Sequence, residues 1–394
     1  MKIAMLTTIG ERCGIAAYSR ELISALETLP DTKVELIPIH EGNQSAEHYL
    51  EQAEKINSQD VDVVHIQHEH SFWGGILPGK SSYWKLRYLI KKPVVLTAHT
   101  TYTAAEMLKL PLERRPLKRL GKQLLMWNRA WVDSIQIAPF ATAVTIVHTH
   151  AARQSLIARG AKPGYIHTIP AGVPAPMKAA TGGKSFRARF QLERKRLITL
   201  FGYISPNKGY ELTLSLLASL PDDVMLIIAG GPRNESMLPY FHQLQAEVKE
   251  RGLLDRALFT DYLSEEDVAE VFAASELAVV PHTIATGSYS VTLPIAYGSA
   301  ILASDLDCFR EINMRMECIE LFHSGSLEDY GSKLINLLSN TERKRYLSER
   351  AKEYAKRFSW NWTARNTVSV YKSAINIYNS GPHHVPGGPP EKPV

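Results

Sequence analysis

Cysteine is scarce in this sequence: Cys13, Cys308 and Cys318 are the whole supply, scattered over 394 residues. They are too few and too dispersed for a disulfide framework or a zinc site, so a reducing cytoplasm is the expected compartment. Long apolar runs are missing as well, and no window holds the ~20 uncharged apolar residues of a membrane-spanning helix. The N-terminus, MKIAMLTTIGERCG, has one lysine and a short apolar run, which suits a first buried strand better than a signal peptide. The turn after that strand, TTIGERCGIAAYSREL, lacks the G-x-G-x-x-G spacing, which weakens a nicotinamide or flavin reading. Acid is absent from one conspicuous place: residues 281–304, PHTIATGSYSVTLPIAYGSAILAS, contain no carboxylate.

What is present belongs to a soluble globular protein, with 45% apolar and 22% charged residues. Strand-like runs KIAMLTT, VELIP, DVVHI, PVVLTA and AVTIV occur in the first half, and LITLF, VMLIIA, ELAVV and AILAS in the second. Between them lie helical patterns such as AAYSRELISALETL, YELTLSLLASL, MLPYFHQLQAEVKERG and SEEDVAEVFAAS. Continuous apolar strands separated by amphipathic helices predict parallel sheets covered on both faces. The Pro-, Gly- and Ala-rich stretch at 171–185 reads as a linker. The expected fold class is therefore α/β, two Rossmann-like doubly wound domains facing across a cleft, with ligands at the C-terminal ends of the strands. The domains are expected over 1–175 and 185–357, with a C-terminal helix over 358–378 crossing back to the first domain. The last residues, 381–394, are too rich in Pro and Gly to fold.

Several segments carry chemistry. Gly10 and Gly14 let the first turn pass close to a ligand ahead of a helix N-terminus, although an ordinary strand-to-helix turn looks the same. In FGYISPNKGYEL a strand ends at Gly202, and the following loop brings Lys208 to a helix start, where its compact charge suits a diphosphate. In TGSYSVT, backbone N–H groups and hydroxyls precede a helical stretch and form an anion site of the same kind; Pro294, read as lying near that helix's start, costs no hydrogen bond there. QHEH (67–70) offers two histidines and Glu69, too few spaced ligands for a convincing metal site.

The ordered landmarks CGIAAYSRELISAL, DVVHIQHEHSFWGG, PVVLTAHTTY, HTIPAGVP, FGYISPNKGYE, MLIIAGGP, LSEEDVAEVFAASELAVVPH, the segment from Gly298 to Ser304, FREI and FSWNWT span roughly residues 1–375. Together they resemble the retaining glycosyltransferases of the GT-B architecture, family 4. The resemblance implies a nucleotide-sugar donor, no cofactor and no metal requirement. It assigns His99 to the sugar pocket and Lys208 to the donor diphosphate; Glu69 of QHEH, an alternative source of a carboxylate, is expected near acceptor or sugar as a third catalytic group. Donor contacts are expected at Gly14, Gly202, Lys208, Gly230, Gly287, Ser288, Tyr289, Ser290 and Thr292. Glu311 sits where the family often has a glutamate, although an acid at a helix start would read the same way.

Three departures accompany the likeness. Tyr203 stands where the family usually has a phosphate-binding arginine. Ala285 and Leu293 stand at the positions of its two usual glutamates.

Between Lys80 and Arg129, 12 Lys or Arg face two acids, Glu106 and Glu113, within a chain of net charge +5. Tyr83, Trp84, Tyr88, Trp127 and Trp131 interleave with them. This pattern over 80–131 suits contact with an anionic membrane surface, a solvated helix face with its tryptophans in the core, or a groove for an anionic glycan. No nucleic-acid reader element is recognised. The leading expectation is a cytoplasmic transferase, peripheral at the inner membrane surface, moving sugar from a UDP- or GDP-sugar to a hydroxyl of a glycan, lipid-linked or small-molecule acceptor, as in polysaccharide biosynthesis. The competing reading is a catalytically silent homologue that binds a glycan or partner chain; a sugar-nucleotide epimerase would need more cleft carboxylates than the sequence supplies.

Overall fold

A computed structural model describes residues 1–10, 13–40, 44–75, 81–103, 106, 128–285, 287 and 289–380, with Tyr289 and Ser290 described by their backbone only. The chain divides into two compact units, residues 1–171 with 360–394, and residues 172–359.

The first unit is built on six parallel strands: β1 (Lys2–Thr7), β2 (Lys33–Pro38), β3 (Val63–His68), β4 (Val94–Ala98), β5 (Val144–Val147) and β6 (Ile166–Thr168). Their order is β2-β1-β3-β4-β5-β6. The chain runs outward from β1 to β2, then returns to place β3 on the other side of β1. That reversal is the switch point where doubly wound sheets hold ligands. Helices α1 (Gly14–Glu27), α2 (Ala46–Ser58), α3 (Tyr83–Arg87), α4 (Arg129–Ala141) and α5 (His150–Ala158) connect the strands. Ser45, Asn128 and Thr149 cap α2, α4 and α5 through their side-chain oxygens, satisfying otherwise orphaned N–H groups.

The second unit repeats the plan with β7 (Arg196–Phe201), β8 (Val224–Ala229), β9 (Ala257–Asp261), β10 (Leu277–Val280), β11 (Ile301–Ser304) and β12 (Glu320–Phe322) in the order β12-β11-β10-β7-β8-β9. Here the switch point lies between β7 and β10. Its helices are α6 (Lys184–Arg189), α7 (Tyr210–Leu217), α8 (Leu238–Glu250), α9 (Glu265–Ala274), α10 (Tyr289–Ala296), α11 (Asp307–Arg315), α12 (Leu327–Ser339) and α13 (Thr341–Arg357). The last helix, α14 (Trp360–Ser380), belongs to the first unit, where it packs on α1 and against β3, β4 and β5.

Both sheets are parallel with helices interleaved, so the expected α/β class with two Rossmann-like domains is the observed one. Central strands are apolar along their whole length because both faces are covered; every residue of β8, VMLIIA, is buried. The sequence reading passed over β6, β9 and β12, and all three are outermost strands. With a neighbour on one side only they are short and partly polar, and IHT, ALFTD and ELF lack the continuous apolar run.

Two local expectations are corrected. Pro294 is the sixth residue of α10 and not part of its opening turn, so the Ser290 carbonyl receives no N–H from the residue four places on. Glu311 is the fifth residue of α11, buried and 3.7 Å from Arg315, and is not an N-terminal acid of that helix.

Candidate active site

In the first unit the C-terminal ends of β3, β4 and β5 each deliver a histidine: His68 closes β3, His99 follows β4 and His148 follows β5. Tyr18 of α1 meets two of them, its ring 5.0 Å from His99 at 83° and 5.1 Å from His148. Trp360 at the head of α14 packs on the same tyrosine at 4.9 Å. The His99 and His148 rings are themselves 5.5 Å apart.

Half-buried His99 makes a 2.8 Å hydrogen bond from Nε2 to Oε1 of Gln67, and its backbone N–H donates to the His68 carbonyl. Burial first, then the neighbouring His148 and His65, holds His99 well below the usual imidazole range. It is a neutral hydrogen-bonding ring at neutral pH. Burial also lowers His148, and lowers His68 strongly.

Glu69 follows β3 and accepts a hydrogen bond from the Thr100 hydroxyl, one residue beyond His99. The loop carrying His99 is fixed farther on by Arg159, which donates to the Thr101 and Tyr102 carbonyls and pairs with Asp133 at 3.6 Å. His68 and His70 sit edge to face at 4.8 Å, but among the described residues no cluster of three or more His, Cys, Asp or Glu is arranged to hold a metal ion. Gly14 opens α1, whose first turn carries no acid and whose N-cap, Cys13, gives the helix no side-chain cap hydrogen bond. A Cβ at Gly14 would meet no atom of the described residues within 4 Å, so their packing does not demand glycine there.

In the second unit Gly202 follows the last residue of β7, and a short 3-10 turn, Pro206–Lys208, leads through Gly209 into α7. Gly209 has φ +75°, and a Cβ on it would lie 2.0 Å from the Pro281 carbonyl oxygen. Only glycine allows that approach. Hydrogen bonds tie the same turn to the strand-end segment after β10: Thr283 N–H donates to the Asn207 carbonyl at 2.9 Å, and Asn207 Nδ2 donates to the Ile284 carbonyl. The loops flanking the second switch point are thus one connected piece.

Lys208 sits inside this piece, only 9% exposed, with Nζ donating to the Phe201 carbonyl at 3.2 Å. Burial pushes its ammonium down to about 8, and no carboxylate among the described residues offsets the shift. His282, two residues beyond β10, lies near enough to Lys208 to feel its charge; burial and that charge push it down to about 3. Its ring stacks on Phe309 at 5.7 Å.

Gly230 has φ +139°, and a Cβ there would lie 2.4 Å from the Gly202 carbonyl oxygen. Glycine at 230 lets the segments that follow the parallel strands β7 and β8 approach closely, a packing requirement that stands apart from any donor contact. Tyr203 faces Tyr262 at 6.4 Å and Leu293 is half-buried on α10. The turn before α10 is described at Gly287, and Thr292 is buried in the helix. Ser288 lies outside the described residues, as do the side chains of Tyr289 and Ser290 and the tail 381–394.

Most of the basic stretch 80–131 also lies outside the description. Of its described aromatics, Tyr83 is fully buried against His68 and Trp73, and Trp84 packs on the core and stacks on Tyr88. Tyr83 thus serves the fold, while Trp84, Tyr88 and Trp131 are half-buried. Among the described residues no helix is long and apolar enough to cross a membrane.

Gln67, His148, Tyr18 and His282 are the neighbours that residue-by-residue reading passed over. His148 and His282 carried a usable signal, since both follow a strand run (AVTIVH, ELAVVPH) as His99 does.

Two family descriptions match successive parts of the chain: Glycosyltransferase Family 4 over residues 17–175, and Glycosyl transferases group 1 over residues 184–354. The chain belongs to the family-4 glycosyltransferases. A D-inositol 3-phosphate glycosyltransferase of Mycobacterium tuberculosis is 26% identical over 321 residues, covering 80% of this chain and 63% of that protein. The chain thus spans under two thirds of the length of the curated relatives it matches. Among solved structures, Anabaena HepE in complex with UDP and glucose superposes with a TM-score of 0.72 at 14% identity, covering 95% of this chain and all of that one. The sucrose-phosphate synthase of Thermosynechococcus elongatus gives 0.70 at 16% identity, over 97% of this family-4 chain and all of its own. These structural likenesses establish the shared GT-B fold.

Proposed function

We propose that this protein is a retaining glycosyltransferase that moves a sugar from a UDP- or GDP-linked donor to a hydroxyl of a glycan, lipid-linked or small-molecule acceptor, without a metal ion. The observation that carries this reading is Lys208, a buried ammonium at the switch point of the second sheet with no described carboxylate beside it. A buried charge costs stability unless something compensates it, and a diphosphate is the compensation that this strand-end position suits. HepE, of the same fold, was crystallised with UDP and with UDP-glucose.

In this reading Lys208, Gly287, Ser288 and the first residues of α10, Tyr289 and Ser290, hold the donor diphosphate, with Thr292 behind them. Sugar departure builds negative charge on the leaving phosphate, so donors fixed on that phosphate stabilise the transition state directly. The leaving phosphate accepts the acceptor hydroxyl's proton, and the enzyme needs no nucleophile of its own. His99, neutral, hydrogen-bonds the sugar, and Glu69 orients acceptor or sugar. Gly14 admits the phosphates close to the start of α1. The basic stretch 80–131 is assigned to an anionic membrane surface.

Tyr203, Ala285 and Leu293 favour a second reading, a silent homologue that binds a glycan or partner chain. Calorimetric titration with UDP, GDP, ADP and their sugar conjugates separates the two. One nucleotide should bind clearly, and Lys208→Ala should weaken it about tenfold or more, the loss of a charged hydrogen bond of ~1.5–3 kcal/mol. Failure of every nucleotide to bind the folded protein removes the transferase reading and leaves the silent homologue.

A further inference from the structure

We propose that Gln67 is a positioning residue that fixes His99 in one tautomer, with the proton on Nε2, through a directional hydrogen-bond chain that starts on the C-terminal helix. The chain lies wholly in the first unit. Tyr371 of α14 places its hydroxyl 2.7 Å from Nδ1 of His65, and Thr97 of β4 places its hydroxyl 2.7 Å from the other ring nitrogen, Nε2. Gln67 Nε2 approaches that same His65 Nε2 at 3.5 Å and the Met5 sulfur at 3.2 Å, while Gln67 Oε1 faces His99 Nε2 at 2.8 Å. Tyr371, His65, Thr97 and Gln67 are all fully buried.

Burial keeps His65 neutral, so one of its nitrogens donates and the other accepts. The amide of Gln67 then has one sensible orientation. Its NH2 group points at the Met5 sulfur, which an amide oxygen could not face, and its second N–H is directed at His65 Nε2, sharing that nitrogen's one lone pair with the Thr97 hydroxyl. His65 therefore carries its proton on Nδ1 and donates it to the Tyr371 oxygen. Flipping the amide would set its oxygen against the Met5 sulfur and turn its NH2 group onto His99 Nε2. The fixed oxygen accepts from His99 Nε2–H, which leaves Nδ1 as the acceptor nitrogen of His99. Tyr18 and His148 hold the plane of the ring. Among the described residues, the ionisable groups around His99 include His65 and His68 from β3, His148 after β5 and Tyr18 from α1.

The proposal deepens the transferase reading by saying which His99 nitrogen donates and which accepts, and it rests on that reading only for its kinetic consequence. The test begins with 15N NMR of histidine-labelled wild-type protein without nucleotide, His99 being assigned through His99→Asn. A protonated Nε2 and an unprotonated Nδ1 are expected; the opposite tautomer, or an averaged pair, overturns the proposal whatever the protein turns over. Gln67→Glu sets a carboxylate against Nε2–H and should raise the His99 pKa by about one unit or more. Gln67→Leu should leave a mixed tautomer and lower kcat about tenfold or more, with donor KM within about twofold. Unchanged His99 shifts in both variants also overturn it, and if the leucine variant does not fold, the wild-type and glutamate spectra still decide. Loss of nucleotide binding with the predicted tautomer intact would instead remove the transferase reading alone.

Discussion

Replacing Lys208 by methionine should make the protein more stable. The methionine keeps the length and apolar packing of the lysine stem while removing an ammonium buried to 9% exposure. Burial brings that ammonium from the ordinary lysine value of 10.5 to about 8. At about 1.36 kcal/mol per tenfold change, keeping Lys208 charged in the folded protein at pH 7 costs about 3 kcal/mol. Removing its hydrogen bond to the Phe201 carbonyl returns about 1 kcal/mol of that. The expected gain is about 2 kcal/mol, a rise of several degrees in apparent Tm for a unit of this size.

The pH dependence is specific. The folded protein releases the Lys208 proton as pH rises through about 8, whereas the unfolded chain holds it to about 10.5. Between those values the unfolded state binds more protons, so wild-type stability rises with pH and the gap to Lys208→Met closes. Melting curves of both proteins at pH 7, 9 and 10.5, with and without pyrophosphate, read this out. Pyrophosphate should raise the wild-type Tm and leave the variant unmoved. A variant that melts below wild type at pH 7, or a difference that does not change with pH, would refute the account of Lys208 as an uncompensated charge.

Gly209→Ala should be strongly destabilising, because the alanine would need φ +75° and its Cβ would lie 2.0 Å from the Pro281 carbonyl oxygen; a loss of about 2 kcal/mol or more is expected in denaturant titration. Tyr203→Arg should tighten UDP or GDP by about tenfold in calorimetry, through a charged hydrogen bond of ~1.5–3 kcal/mol to phosphate.

The sheets were legible in the sequence wherever a strand is covered on both faces, as in VMLIIA or PVVLTA. They were not legible at ALFTD and ELF, where an outer strand has half the packing and so half the pattern. The positions of His99 and Lys208 followed from what precedes them, a strand run ending in a loop. The partners of those residues did not follow. Gln67 and Thr97 read as polar interruptions of otherwise apolar strands, and only strand register brings His65, Gln67 and Thr97 together, β3 beside β4. Tyr371 lies 306 residues from His65, and local sequence patterns cannot pair positions so far apart. Pro294 was misplaced for a local reason: α10 begins earlier than a proline-led helix would, and TGSYSVT gave no apolar periodicity to mark its start.

Helix α14 has a consequence for how the molecule is made. Trp360, Ala364, Val370, Tyr371 and Ala374 are buried on it, in a unit whose other residues end at Ala171. During synthesis the second unit is complete once Ser359 has emerged, while the first, begun earlier, must wait for the final helix. Folding from the ribosome is therefore expected to finish in the reverse of the order in which the units start. A chain cut after Ser359 would leave the earlier unit with β3, β4 and β5 exposed on the side that α14 covers, and His65 without its tyrosine.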